Sequence, residues 1–420
     1  MDKNVYSQFV QILKEELVPA MGCTEPISLA YCTAKAKEYL EGECIKGILY
    51  VSPNIVKNVK SVTVPHTDGL VGLKAAFLAG LIGGNASLEL EVLSNVTKEH
   101  IILINKLMNS FDFKIEIVEN SYIFEIGVKL FSDEHSSFVR IINDHTNIVR
   151  IEKDNEVLYK IDESSLIKTD RSNLNVLNIL EFAKCVQLED VDYIIKRQIE
   201  YNFKIAEEGI KNSYGANIGK VYFYSGLGSI ESKAKAYAAA GSDARMNGCE
   251  LPVIINSGSG NQGITTSVPV IVYAKELRKT EEELIRSLVV SNLITIHLKT
   301  GIGTLSAYCG VVSAAVGAVC GIAYLLGKGY EELAHIIVNT LAIDSGIVCD
   351  GAKASCAAKI ATALETGFLG LKMQETGNEF YAGCGIVKKG VENTIKSVNR
   401  LASKGMRETD KEIIKIMLDN

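Results

Sequence analysis

The sequence predicts an α+β protein, a mainly helical body rich in small residues with a smaller α/β domain inserted in its N-terminal half. Three observations carry this. Most of the first 86 residues, and most of the chain after about residue 175, place apolar residues at helical spacing. Several of those stretches are dominated by Gly, Ala, Ser and Cys, as in AAFLAGLIGG (75–84). Between them, residues 87 to about 162 are charged, poor in small residues, and alternate apolar with polar at the two-residue period of strands.

The elements follow in order. Residues 5–17 (VYSQFVQILKEEL) show the helical period and end ahead of Pro19. A second helix is expected from Gly22 to about Leu40, with Thr24 as its N-cap and Pro26 just inside. Residues 44–58 (CIKGILYVSPNIVKN) read as a strand running into a loop at Pro53 and Asn54. A small-residue helix follows, stopped by Gly83 and Gly84. A helix at about 97–110 precedes the strand-like runs FKIEIVE, YIFEIGVKLF, SSFVRIINDHTNIVRIEKD and EVLYKID. Helices return at NVLNILEFAKCV, VDYIIKRQIEYNFKIAEEGIK, GSIESKAKAYAAAGSDARM and TEEELIRSLVVSNLITIHLKTG, with several more beyond, ending in DKEIIKIMLDN. Residues 250–274 interrupt them with an apolar run and a Gly/Ser loop. The expected organisation is a discontinuous helical domain of residues 1–86 and 165–420 around an inserted α+β domain of residues 87–164.

Composition excludes several classes. A net charge of −6 and a pI near 5.7 argue against a nucleic-acid partner. The first 23 residues carry charges and no apolar h-region, so a cytoplasmic protein is expected, in which thiols stay reduced. Residues 300–327 contain no charge and are long enough to span a bilayer. Their Gly, Ala, Ser and Cys content instead suits a helix packed tightly inside a protein, so no membrane is expected. Nothing in the sequence decides oligomeric state, and a homo-oligomer stays open.

Ten cysteines in a reduced compartment point to metal or catalysis rather than disulfides, although any one of them serves equally as a small buried hydrophobe. Cys349 and Cys356 flank Asp350-Gly351. On a continuous helix they would stand ~10 Å apart, but a turn at Asp-Gly folds Cys349 back toward a helix N-terminus. Cys309 and Cys320 lie ~16 Å apart on one helix, so both cannot hold one cluster. Cys309 is near the helix start, and Cys320 reads as core filler. Cys23 in AMGCTEP sits at a loop-to-helix junction, which suits a reactive thiol or simply a capping turn. His66 and His145 stand out, but neither has a second His at metal spacing, which argues against a zinc hydrolase.

The loop INSGSGNQGI (255–264) offers Gly258, Gly260 and Gly263, with Ser257, Ser259, Asn261 and Gln262, for an anion, a carboxylate above all. It lacks the Lys of a P-loop and the acidic residue of a dinucleotide fold; the remaining alternative is a plain connector. Arg245 in SDARM suits a substrate carboxylate or a salt bridge. Lys57 in SPNIVKN suits a pyridoxal phosphate Schiff base or simply a solvated side chain.

PAMGCTEPISLA, VSPNIVKN, DHTNIV, SDARM, NSGSGNQGI, LSAYCG and CDGAKASCAAK, in that order, resemble the iron–sulfur L-cysteine desulfidases over about residues 15–365. The C-terminal half is also similar to bacterial iron–sulfur L-serine dehydratases. The resemblance implies a [4Fe-4S] cluster on Cys309, Cys349 and Cys356 with one iron open, and Cys23 as catalytic base or further ligand. It implies conversion of L-cysteine and water to pyruvate, ammonia and hydrogen sulfide, with serine or another β-substituted amino acid as alternative substrate. Arg245 and residues 257–262 would then hold the amino acid. His66 and Asp68 in VPHTDG depart from the small residues of that family. The competing readings are a pyridoxal phosphate lyase and a non-catalytic membrane or scaffold protein.

Overall fold

The computed structural model describes residues 1–118, 122–161, 168–225, 228–303 and 305–418. It is α+β, with a helical C-terminal region. The expected boundary between residues 164 and 165 lies outside the described residues.

The strands are β1 (Pro19–Met21), β2 (Lys46–Val51), β3 (Asp112–Ile117), β4 (Glu125–Phe131), β5 (Ser136–Ile142), β6 (Ile148–Lys153), β7 (Glu156–Lys160) and β8 (Pro252–Ile254). Six form one sheet in the order β3-β2-β4-β5-β6-β7. β2, from before residue 87, lies inside it, parallel to β3 and antiparallel to β4. Its alternation KGILYV buries Leu49 and Val51, as a strand covered on one face requires. β1 and β8 pair separately.

The helices are α1 (Lys3–Glu16), α2 (Thr24–Glu38), α3 (Pro53–Val59), α4 (Leu73–Gly83), α5 (Lys98–Ser110), α6 (Val176–Cys185), α7 (Asp192–Lys211), α8 (Ile218–Ser225), α9 (Ile230–Met246), α10 (Gly260–Glu276), α11 (Glu281–Thr300), α12 (Gly310–Leu325), α13 (Tyr330–Ile343), α14 (Cys356–Glu375), α15 (Val391–Arg400) and α16 (Arg407–Leu418). Local capping sets several starts. Asp2 accepts the first amides of α1, and Thr280 with Glu283 forms a capping box at α11.

Three local expectations are corrected. The loop at Pro53 is helix α3, because Pro at the first helical position lacks only an N–H that would go unused there. Cys23, not Thr24, is the N-cap of α2, and its side chain makes no capping bond. The Gly/Ser loop ends at Ser259, and residues 260–276 form the buried helix α10 despite Pro269 inside it. The uncharged stretch becomes α12, sixteen residues nearly all buried. Among the described residues no helix is long and apolar enough to cross a membrane.

α2 joins the two parts of the fold. The Ser137 hydroxyl on β5 donates to the carbonyl of Ala36, and Ser28 donates to the carbonyl of His145 at 2.5 Å. The β5–β6 loop is thereby carried to the N-terminal half of α2, next to Cys23.

Candidate active site

Four helix N-termini meet at one cavity of about 90 Å³. Cys23 caps α2, Ser259 precedes α10, Cys309 caps α12, and Cys356 is the first residue of α14. Unpaired amides and aligned peptide dipoles make such a place favourable for anions, including thiolates.

Backbone pairing positions the cysteines. The N–H of Cys309 donates to the carbonyl of Ile347 at 2.9 Å, and the N–H of Cys349 donates to that of Ala307 at 2.7 Å. These bonds flank the bridge between Tyr308 and Val348 and hold the two cysteine segments antiparallel. Gly351 then turns the chain at φ +95°, where a β-carbon would also stand 2.4 Å from the carbonyl oxygen of Lys57. Asp350 binds both Lys353 and Lys359, which clasps the turn to the start of α14. Cys356 packs with Cys23, Val62, Met246 and Ala352.

The cavity wall therefore includes Cys23, Arg245, Ser259, Asn261, Gln262, Cys309, Cys349 and Cys356. Ser257 is different. Its hydroxyl donates to the Asn256 side chain at 2.9 Å, and it lines an adjoining larger cleft. The loop before α10 is anchored from beneath. The Asn256 amide donates to Asn292 Oδ1 at 2.9 Å, Gln198 donates to the same oxygen at 3.0 Å, and Thr24 donates to the carbonyl of Gly258 at 3.0 Å. Asn261 faces α9, accepting from Ser242 at 3.1 Å.

Arg245 is 3% exposed, and its Nε has no hydrogen-bond partner. Its Nη1 donates to the Met246 sulfur at 3.5 Å, and the Cys23 thiol lies beside the guanidinium. Gln262 Oε1 is likewise buried without a partner. A buried guanidinium without a carboxylate is costly, and an anionic ligand relieves that cost.

The thiols differ. The Cys309 thiol is the largest cause holding Cys349 below its usual range, against burial, with Lys57 and the Gly351 N–H acting the same way. Cys309 is raised in turn, first by Cys349 and then by burial. Burial pushes Cys23 up to about 12, opposed by the neighbouring Arg245. Cys356 is raised by burial.

Lys299, unremarked in the sequence, also lines the cavity. It is 5% exposed, and burial lowers its ammonium to about 8 against the pull of Cys349 and Cys309. Nothing in the spacing of TIHLKTG separates it from a solvated helix-end lysine; only the burial of α11 does. His145 lines the cavity as well, whereas His66 faces Glu250 at 3.4 Å in a different depression. Lys57 is buried and paired with Asp410 of α16 at 2.5 Å. Of the other cysteines, Cys32 and Cys320 are fully buried, and Cys185 and Cys384 are exposed. Among the described residues no three His, Cys, Asp or Glu side chains are grouped to hold a single metal ion.

The family described as serine dehydratase alpha chain matches residues 87–415. A UPF0597 protein of Desulfitobacterium hafniense is 53% identical over 99% of this chain and 97% of its own. UPF0597 proteins of Lachnoclostridium phytofermentans and Treponema denticola are 48% and 45% identical, covering 99% and 100% of this chain and 100% and 99% of their own. A match of that extent to the family, with relatives similar from end to end, means that the chain belongs to the serine dehydratase alpha chain family.

Proposed function

We propose that the protein is an iron–sulfur lyase of the serine dehydratase type, and within that class an L-cysteine desulfidase. The observation that carries the reading is one cavity walled by Cys309, Cys349, Cys356, Cys23 and Arg245, whose buried Nε has no hydrogen-bond partner.

The donor set fits a [4Fe-4S] cluster, which takes one thiolate on each of three irons and so does not need three side chains at one point. Cys309, Cys349 and Cys356 would hold it. The bound cluster would supply an open iron as a Lewis acid for the substrate's β-substituent.

The chain's own residues account for the rest. Arg245, with the free amides at the start of α10, receives the α-carboxylate. The unpartnered Gln262 Oε1 accepts from the α-ammonium. Cys23 takes the Cα proton. Its thiol is held protonated by burial, so it acts as a base only from the thiolate, which Arg245 stabilises. Elimination gives aminoacrylate, whose tautomer hydrolyses; L-cysteine and water yield pyruvate, ammonia and hydrogen sulfide.

A second reading, L-serine as substrate, is favoured by the description of the matched family. The test is anaerobic turnover of L-cysteine and L-serine side by side, following pyruvate with both and sulfide with the first. A larger kcat/KM for L-cysteine supports the desulfidase; a larger value for L-serine replaces it. Lys57 gives little support to a pyridoxal phosphate enzyme, because its ammonium is engaged by Asp410.

A further inference from the structure

The cysteine cavity adjoins a cleft of about 620 Å³, and His145, Gly258 and Lys299 belong to the walls of both. The two side chains come from opposite parts of the fold. Lys299 lies in the last turn of α11, and His145 lies on the β5–β6 loop of the sheet.

Both are fixed, and both are unsatisfied. The Lys299 ammonium donates to the carbonyl of Gly303 and, among the described residues, pairs with no carboxylate. His145 is 2% exposed, and its Nε2 is buried without a partner. Its carbonyl is held by Ser28 at 2.5 Å and its N–H by Asp144 at 2.7 Å, while the ring meets Phe124 edge-on at 4.9 Å. The ring therefore has a set orientation with one nitrogen left over. A buried cation with no carboxylate at pairing distance and a buried nitrogen without a partner both cost free energy, and a carboxylate relieves both. The other cations of the cleft are already taken: Arg171 pairs with Glu16, and Lys168 with Asp144 at 2.8 Å. Of the remaining acids, Glu15 accepts from the Thr169 hydroxyl, and Glu89 and Glu91 suit the ammonium end of an amino acid.

We propose that this cleft is the entrance to the cysteine cavity, and that Lys299 and His145 form a carboxylate-selecting neck within it. The inference goes beyond the lyase reading and requires neither the cluster nor a particular leaving group.

The test uses the full chain, freed of iron and kept reduced, with iodoacetate and iodoacetamide as anionic and neutral probes of the same thiols. Comparing the two reagents at one thiol cancels that thiol's own reactivity. The exposed Cys185 and Cys384 are internal controls. The iodoacetate-to-iodoacetamide rate ratio at Cys309 and Cys349, read by mass spectrometry, is expected to exceed that at the controls by about tenfold, as a focusing positive site produces. Lys299→Met lowers the cavity ratio at least threefold, and Lys299→Arg preserves it. Leu88→Trp, at a cleft-lining residue, slows both reagents at the cavity thiols and neither at Cys185. An unchanged ratio in Lys299→Met overturns the selecting neck, and unchanged cavity rates in Leu88→Trp overturn the entrance. Neither readout involves turnover, so failure here is separate from failure of the lyase assignment.

Discussion

Gly260 lies so close to Arg245 that a β-carbon at residue 260 would stand 2.2 Å from Nε and 2.6 Å from Cζ of the guanidinium. The first residue of α10 is therefore matched to an arginine from the end of α9. The fit aims a buried positive charge at the cysteine cavity. Gly260→Ala should displace the guanidinium and raise KM for the amino-acid substrate at least tenfold, about 1.4 kcal/mol. Arg245→Lys should do the same, since it keeps the charge and loses the planar fork. Steady-state kinetics on iron-loaded protein checks both, and an unchanged KM in either contradicts the carboxylate role.

The cysteines should separate by location. Cys320 is fully buried in α12, away from the cavity, so Cys320→Ala should lower stability by about 1 kcal/mol through a small void. Its iron content should match that of the native chain. Cys309→Ala and Cys356→Ala should lose iron instead. Chemical denaturation beside iron analysis distinguishes the two behaviours.

Cys23 is expected to serve chemistry rather than cluster binding. Cys23→Ser should retain iron and lose turnover by about 10²–10⁴-fold, the usual contribution of a positioned base. Loss of iron together with activity would make Cys23 a ligand.

Asp243 predicts a pH effect on stability. Its carboxyl is buried, with one oxygen accepting the Gly219 N–H at 2.8 Å and the other unpartnered, and burial raises it from 3.8 to about 6. The folded state thus holds a proton that the unfolded state has already released between those values. The contribution to stability is complete below pH 3.8 and is lost as pH rises through 6. Asp243→Asn keeps the acceptor and removes the charge. Its melting temperature relative to the native chain should be a few degrees higher at pH 8 than at pH 5. An equal difference at the two pH values would contradict the assignment.

Much of the fold was legible because local patterns carried it. The alternation in residues 113–160 anticipated the strands of this region, although the run 136–154 divides into β5 and β6, and the helical period of residues 5–17 and 280–301 anticipated α1 and α11. The place of β2 was not legible, because its pairing with β3 and β4 is made across more than sixty residues of sequence. α10 was hidden by Gly, Ser and Pro269, whose intrinsic preferences oppose a helix that complete burial imposes. At the candidate site, Cys23, Arg245, Cys349 and Cys356 were nameable from residue type and local setting, and Cys309 from the family resemblance. Lys299 was not, since an unpaired buried lysine looks like a solvated one until its surroundings are known. His145 was conspicuous as a residue, but its neighbourhood depends on α2 bringing the sheet loop to the cavity.

Cys309, Cys349 and Cys356 are proposed to hold an iron–sulfur cluster for a lyase reaction. The most direct measurement is anaerobic iron and acid-labile sulfide content, with an absorption spectrum, for the native chain and Cys349→Ala. About four irons per native chain with a broad visible shoulder are expected, both lost in the variant together with pyruvate release. Native protein that is free of iron and still releases pyruvate from L-cysteine or L-serine would contradict this proposal.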